Sequence, residues 1–149
     1  MRGQPSGDGS APSRIRDLPT WLISRTYARS HALLNDGFAD SASGLRSYHY
    51  RLLAALEESG PVTQADLGRS TSVDRSDVVN VLAELERRGL VQRTVDPTNR
   101  RRNIVRITSA GRKQLRALDK VIDAVQQRVL EPLTETERRQ LIKLLRKLE

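Results

Sequence analysis

Residues 63–111, TQADLGRSTSVDRSDVVNVLAELERRGLVQRTVDPTNRRRNIVRITSAG, decide the fold. They begin with two short helical segments separated by a turn at about residues 70–73. Thr63 is suited to cap the first helix, with Asp66 three residues later. The second helix stops at Gly89, and its apolar face consists of Val78, Val81, Leu82 and Leu85. Two short helices with so short a connection are typical of a helix-turn-helix.

The second half of the stretch changes from a helical period to a period of two. In residues 91–95 the two-residue period runs through Val91, Arg93 and Val95, and in residues 103–108 it puts Val105 and Ile107 on one face and Ile104 and Arg106 on the other, as in strands. Between them lies DPTNRRR, in which Pro97 suits the second position of a turn that starts on Asp96. We therefore predict a β-hairpin with a long tip that carries three adjacent arginines, residues 100–102.

Helical segments flank this unit on both sides. Residues 1–13 are rich in Gly, Ser and Pro and predict a flexible arm, and helices follow at about 18–39 and 45–58. Thr108 can cap a long helix that ends before Pro132, and a capping box at residues 134–137 opens a last helix. The chain is thus predicted to be mainly helical, with one small β-hairpin.

Two leucine-rich patterns near the C-terminus indicate contacts between helices. The long helix has a narrow seam with steps of three and four residues, at Leu115, Leu118, Ile122, Val125 and Val129. The last helix has a second apolar face at Leu141, Leu144, Leu145 and Leu148. We predict that both pack against helices of a second copy of the chain.

The composition excludes several classes of protein. The 149 residues include no cysteine and two histidines, which removes disulfides, thiol chemistry, cysteine-ligated zinc and a histidine metal cage within one chain. No glycine-rich phosphate loop or metal-ligand spacing occurs, so we expect no enzyme activity, metal or cofactor. No apolar run approaches the roughly 20 residues that span a bilayer. We therefore expect a soluble, cytoplasmic protein.

The positive charge is concentrated in the hairpin. Lys and Arg exceed Asp and Glu by 26 to 18, for a formal net charge of +8. Residues 64–89 carry four basic and five acidic side chains, whereas residues 93–106 carry five arginines against Asp96 alone. The helices are therefore predicted to select a sequence, while the hairpin supplies attraction to a polyanion.

A helix-turn-helix followed by a basic hairpin is typical of a winged helix that binds DNA. The second helix fits the major groove, where Arg75 is suited to guanine and Asn80 to adenine. The predicted contacts of the two helices are Thr63, Gln64, Ser72, Asp74, Arg75, Ser76 and Asn80. Arg100, Arg101 and Arg102 are predicted to enter the minor groove, where negative potential attracts arginine. The alternatives are a helix that only packs against protein and a solvated charge run.

The quoted stretch resembles the winged-helix core of the MarR family of transcriptional regulators, whose wing pattern is D-P-x-D-R-R followed by a strand and L-T-x-x-G. Asp96, Pro97, Arg100 and Arg101 match this pattern, as do Thr108 and Gly111 at the strand-to-helix junction. The resemblance implies that Arg101 is the minor-groove arginine, with Arg100 second. Asn99 replaces the aspartate of the pattern, and its amide cannot form a charged pair with Arg101.

The resemblance also implies a homodimer that binds a pseudo-palindromic operator, usually as a repressor, and releases DNA when a small molecule binds. The implied domains are the arm at 1–13, an N-terminal dimerisation helix at 14–44, the DNA-binding domain at 45–108 and C-terminal dimerisation helices at 109–149. Candidate effector-binding residues are Trp21, Arg25, His31, Tyr48, His49 and Arg51, each of which could instead be a core or a surface residue. The rival function is a basic architectural protein with little sequence preference.

Overall fold

The structure, a computed structural model, describes residues 11–149, so most of the predicted N-terminal arm lies outside the described residues. The last residue of that arm already begins a short helix. The elements in chain order are α1 Ser13–Arg16, α2 Pro19–Asp40, α3 Ser47–Ser59, β1 Val62–Thr63, α4 Gln64–Thr71, α5 Arg75–Arg87, β2 Val91–Asp96, β3 Asn99–Ile107, α6 Ser109–Leu130 and α7 Glu135–Leu148. The predicted fold class, mainly α with a small wing, is confirmed.

The helices begin and end where the sequence signals predicted. Thr63, Thr108 and Thr134 each occupy an N-cap, and the side chain of each accepts a hydrogen bond from the backbone N–H three residues later. Glu137 completes the predicted capping box by accepting the N–H of Thr134 at 2.7 Å. Gly89 follows α5 with a φ of +70°, a left-handed conformation that favours glycine. These local signals fix the ends of the helices that carry the site.

Helix α3 lies at the centre of the molecule and packs against α4, α5, α6 and β3. Its Leu52, Leu53 and Leu56 are fully buried. The predicted apolar face of α5 is buried against the same core, which also includes Val105 and Ile107 of β3. The core therefore holds the recognition helix α5 and the hairpin in a fixed relation to each other.

The hairpin belongs to a three-stranded antiparallel sheet with the order β1-β3-β2. The two-residue strand β1 was not predicted from the sequence. It pairs Val62 with Val105, so it ties the middle strand to the segment that directly precedes α4. The helix-turn-helix and the wing are thus joined by backbone pairing as well as by the core.

The prediction that the hairpin has a long tip was wrong. Only Pro97 and Thr98 separate β2 from β3, and Asp96 pairs with Asn99. The preceding pair is Val95 with Asn103, so the register shifts between these two pairs. Residues 100–102 have no partner on β2 and form a bulge in β3. The three arginines therefore stand on a strand rather than on a loop.

The interpretation of the α6 seam as a contact between two copies of the chain was also wrong. Leu115, Leu118 and Val125 are buried within the single chain, where α6 packs against α2 and α3. The packing against α2 is tight, because a Cβ added at Gly37 would lie 2.5 Å from a methyl group of Val125. In contrast, Leu144, Leu145 and Leu148 of α7 are exposed.

Candidate nucleic-acid interface

A pocket with a volume of about 890 Å³ lies between α4, the start of α5 and the wing, and its wall is called the concave surface below. Seven of the ten predicted DNA-contacting residues line it: Thr63, Gln64, Ser72, Asp74, Arg75, Arg101 and Arg102. The other three, Ser76, Asn80 and Arg100, are exposed but lie outside this concavity. The fold thus brings the predicted major-groove and minor-groove residues together on one surface.

The turn between the two helices consists of Ser72, Val73 and Asp74. Ser72 ends α4 with a φ of 53°, and the buried Val73 anchors the turn in the core. Asp74 occupies the N-cap of α5, but its carboxylate makes no capping hydrogen bond among the described residues. Asp74 and Arg75 are both exposed at the N-terminal end of α5. The N-terminal residues of a recognition helix are those that reach base edges.

Gln64, the first residue of α4, has an amide oxygen that is buried without a hydrogen-bond partner among the described residues. Its side chain lines the concave surface. An unpaired buried acceptor costs about 1–3 kcal/mol, and a donor that enters the concavity would relieve this cost. Gln64 is therefore suited to accept a hydrogen bond from a bound partner.

The wing arginines have different surroundings. Arg102 lies 3.5 Å from Oδ2 of the largely buried Asp96. Hydrogen bonds from the backbone and hydroxyl of Thr98 lower the pKa of Asp96, and the charge of Arg102 adds to this effect. Arg100 and Arg101 form no salt bridge within residues 11–149. These two guanidinium groups can therefore bind a phosphate or a groove without first giving up a carboxylate.

Asn99 acts on the backbone of the wing rather than on a guanidinium group. Its Oδ1 accepts the N–H of Arg101 at 3.0 Å. No hydrogen bond joins the Asn99 amide to the Arg101 guanidinium group among the described residues. Instead, Asn99 fixes the backbone of the bulge from which Arg101 projects, while Asp96 forms the charged pair one position further on, with Arg102.

A second wing arginine is also paired. The Arg93 guanidinium donates to both carboxylate oxygens of Glu86, at 3.1 and 3.2 Å, and its backbone N–H donates to the same group. These contacts lower the pKa of Glu86. The pair ties β2 to the end of α5, so Arg93 positions the wing and is less available to DNA than Arg101.

A buried polar network that the sequence reasoning missed joins α3 to α5. The ring of His49 is almost fully buried, its Nδ1 accepts the backbone N–H of Arg46, and its Nε2 donates to Glu84 at 2.9 Å. Arg88 donates to Glu84 at 3.0 Å and to the carbonyl of Ser43 at 2.7 Å. Burial lowers the pKa of His49, and the hydrogen bond from His49 lowers that of Glu84. The four-residue spacing of Glu84 and Arg88 was the available sequence signal.

The six candidate effector-binding residues lie in separate places. The Arg25 guanidinium lies 5.8 Å from the Trp21 ring near the start of α2. Further along α2, His31 stacks on Tyr27 beside a cleft of about 230 Å³ between α2 and α6. The remaining three are on α3: Tyr48 lies beside the buried His49, and Arg51 donates to the carbonyl of Thr71. Among the described residues they do not line a common cavity.

Within residues 11–149, no three His, Asp or Glu side chains form a group that could hold a metal ion. No helix in this part of the chain is long and apolar enough to cross a membrane. The concave surface between α4, α5 and the wing is thus the main candidate site of the described chain.

Comparison with known proteins gives a consistent result. A family model described as the MarR family matches residues 43–102. The transcriptional repressor NicR of Pseudomonas putida is 32% identical over 139 residues, which cover 93% of this chain and 87% of NicR. A solved structure of a probable transcriptional regulator from Pseudomonas aeruginosa has 32% identity and a TM-score of 0.78, and the match covers 89% of this chain and 98% of that one.

Two further solved structures are of regulators for which a small-molecule ligand is known. BpsR of Bordetella bronchiseptica, whose DNA binding is regulated by 6-hydroxynicotinic acid, has 27% identity and a TM-score of 0.80 over 93% of this chain and 97% of its own. PcaV of Streptomyces coelicolor, solved with its natural ligand, has 28% identity and a TM-score of 0.77 over 93% and 96% of the two chains.

Proposed function

The chain belongs to the MarR family of DNA-binding transcriptional regulators, and on this premise we propose that it is a homodimeric repressor of a pseudo-palindromic operator, released by a small aromatic acid. The observation that carries the proposal is the single concave surface that holds Arg75 of the recognition helix together with Arg101 of the wing. One group is suited to a guanine edge in the major groove and the other to the minor groove.

The dimer is supported by exposed apolar side chains at both ends of the described chain. They are Leu18 directly before α2, Leu22, Ile23 and Tyr27 of α2, and Ile142, Leu144, Leu145 and Leu148 of α7. A single folded chain seldom leaves so many large apolar groups in water unless they contact a partner. In a two-fold dimer, two copies of α5 would meet half-sites about one turn of DNA apart.

The repressor role and the effector are supported by the relatives. NicR is a repressor, and BpsR responds to 6-hydroxynicotinic acid. A small aromatic carboxylate would need a cation and an apolar surface. Two pairs of side chains have this chemistry, Arg25 with Trp21 on α2 and Arg51 with Tyr48 on α3, and the two pairs lie apart within the single chain. We propose that the effector binds among them in the dimer.

The proposal is tested by selection of bound fragments from the source genome with the purified full-length chain. We expect a two-fold symmetric site bound about 10³-fold or more tightly than random DNA. Uniform binding of all fragments with a steep salt dependence would instead indicate the architectural function, which the net charge of +8 favours. Titration of 6-hydroxynicotinic acid against the selected complex, with benzoic acid as a comparison, tests whether an aromatic acid releases the DNA.

A further inference from the structure

Val79 is an apolar side chain on the outer face of the recognition helix. It is 47% exposed, whereas the neighbouring Val78 is buried in the core. The other exposed side chains of this half of α5 include Arg75, Ser76 and Asn80, all polar. A single exposed apolar side chain is common on protein surfaces, so the exposure of Val79 alone indicates no partner, and its position on the helix has to supply the evidence.

The position of Val79 on α5 indicates a contact with DNA. Val79 lines the concave surface together with Arg75 and Arg101. It follows Arg75 by four residues, about 6 Å of helix rise, so the two side chains stand on the same face and reach base pairs within about two steps of each other. A valine side chain neither donates nor accepts hydrogen bonds. In the major groove, the apolar group that a base edge presents is the C5-methyl of thymine.

We propose that Val79 contacts the C5-methyl group of one thymine in each half-site, within about two base pairs of the base that Arg75 contacts. This inference rests on the proposed sequence-specific binding and adds a specificity-determining residue to it. Arg75 supplies hydrogen bonds to one base and Val79 supplies an apolar contact to a nearby thymine, so the two side chains select neighbouring bases in the major groove. A cytosine at the same position has no methyl group and leaves Val79 against water.

The expected size of the effect follows from the burial of one methyl group. Burial of one methylene-sized group stabilises by about 0.8 kcal/mol, which corresponds to a change of about fourfold in affinity. Removal of the thymine methyl should therefore weaken binding by the wild-type chain about fourfold at one position of each half-site. The same removal should have little effect once the valine is shortened.

The experiment uses the full chain and the site that it selects from random duplexes. Each thymine of the half-site is replaced in turn by deoxyuridine, which lacks only the C5-methyl group, and the dissociation constant is measured for the wild type and for Val79→Ala. We expect one thymine whose replacement weakens the wild type about fourfold and leaves the Val79→Ala complex unchanged. Thermal unfolding of both proteins shows that the variant is folded.

Val95→Ala is the matched control. Val95 is 56% exposed, a fraction similar to that of Val79, but it lies on β2 and does not line the concave surface. This variant should keep the full sensitivity to deoxyuridine. If the wild type tolerates deoxyuridine at every position, or if Val79→Ala stays as sensitive as the wild type, the inference is overturned. Failure of the proposed function looks different, because in that case the selection yields no preferred site.

Discussion

At the residue scale, the surroundings of the arginines separate their roles. Arg75 stands at the outer end of α5, Arg101 is free of carboxylates in the described chain, and Arg102 is held by Asp96. From the sequence, all three arginines were candidates for the minor groove, with Arg101 first and Arg100 second. The salt bridge explains why Arg102 is the least available of the three, because binding to DNA requires that it first leave Asp96.

This division predicts different losses for two alanine variants. Arg101→Ala should weaken binding to all sequences and reduce the slope of log K against log salt by about one unit, since one cation no longer displaces counterions. Arg75→Ala should cost about 1–3 kcal/mol at one base position and relax the preference there. Fluorescence anisotropy over a salt series, on the selected site and on single-base variants, measures both effects. Arg102→Ala is the control and should change the slope less than Arg101→Ala. Equal losses from Arg75→Ala and Arg101→Ala on every sequence would contradict the division.

The buried His49 predicts a pH dependence of stability. Burial lowers the pKa of His49 in the folded chain below the value of 6.5, so the unfolded chain takes up the proton more readily. The contribution of neutral His49 to the free energy of unfolding should therefore be fully present above pH 6.5 and decrease as the pH falls below that value. A proton on Nδ1 would also remove the acceptor of the Arg46 N–H. The nearby charges are Glu84 and Arg88 on α5 and Arg46 at the start of α3.

His49→Gln should lose this pH dependence, because an amide does not titrate. Urea unfolding at intervals from pH 8 to pH 5.5 measures the free energy of unfolding for the wild type and the variant. The matched control is His31→Gln, since the ring of His31 is exposed and contacts Asn35 on the surface of α2. The control should keep the wild-type profile. A His49→Gln profile parallel to that of the wild type would show that another group sets the dependence.

At the element scale, the junction of β3 and α6 depends on one glycine. Gly111 is in the first turn of α6, and a Cβ there would overlap the carbonyl oxygen of Leu90 and lie 2.7 Å from Cγ1 of Ile107. The Thr108 hydroxyl donates to the Gly89 carbonyl and accepts the Gly111 N–H, which holds the helix against the base of the wing. The sequence match at Thr108 and Gly111 thus has a steric reason.

Gly111→Ala should therefore destabilise the chain by about 1–3 kcal/mol or more, because the backbone of Leu90 cannot yield as a side chain can. Gly37→Ala is the comparison, since its Cβ would meet the ends of the Val125 and Val121 side chains and alanine favours a helix by about 1 kcal/mol. Urea unfolding should give the larger loss for Gly111→Ala. An unchanged midpoint for Gly111→Ala would show that the junction relaxes.

The elements that the sequence predicted correctly are those with local signals. The caps at Thr63, Thr108 and Thr134 depend on residues three positions apart, so the pattern is visible in the sequence. Strand β1 is two residues long and pairs with a distant part of the chain, and a pattern of two residues carries no signal. The place of the bulge at residues 100–102 depends on the register between β2 and β3, which alternation does not specify.

The sequence pattern of a helix also does not specify which helix it packs against. The seam on α6 has the same spacing whether it faces a second copy or α2 and α3 of its own chain, and the structure shows the latter. For the site, residue types indicated the wing and the recognition helix, because charge and helix ends are local. The network of His49, Glu84 and Arg88 joins distant segments and required the fold.

At the scale of the whole molecule, the exposed apolar side chains and the candidate DNA-binding surface are carried by different elements. The concave surface lies in the middle of the chain, while the exposed apolar side chains of α2 and α7 lie towards its ends. Arg138 fixes the start of α7, since its guanidinium donates to the Leu133 carbonyl and to Oε1 of Gln127 on α6. The leucines near the end of α7 are thus carried on a helix whose first turns are anchored.

This arrangement predicts that α7 holds two copies together. The combined variant Leu144→Gln and Leu148→Gln should sediment as a monomer of 16.8 kDa, whereas the wild type should sediment at twice that mass. The two leucines are 57% and 71% exposed, so their replacement should leave the fold of the single chain intact, as circular dichroism can verify. Removal of everything after about residue 109 would be a poor test, because Leu115 and Leu118 of α6 belong to the core.

The matched control is the combined variant Lys143→Gln and Lys147→Gln on the same helix, which should remain a dimer. The monomeric variant should also bind the selected site far more weakly than the wild type, because two half-sites are no longer engaged by one linked pair of recognition helices. A single half-site duplex should show little difference between the two proteins. If the leucine variant stays dimeric at low micromolar concentration, the dimer contact lies elsewhere, and the exposed residues of α2 become the surface to change next.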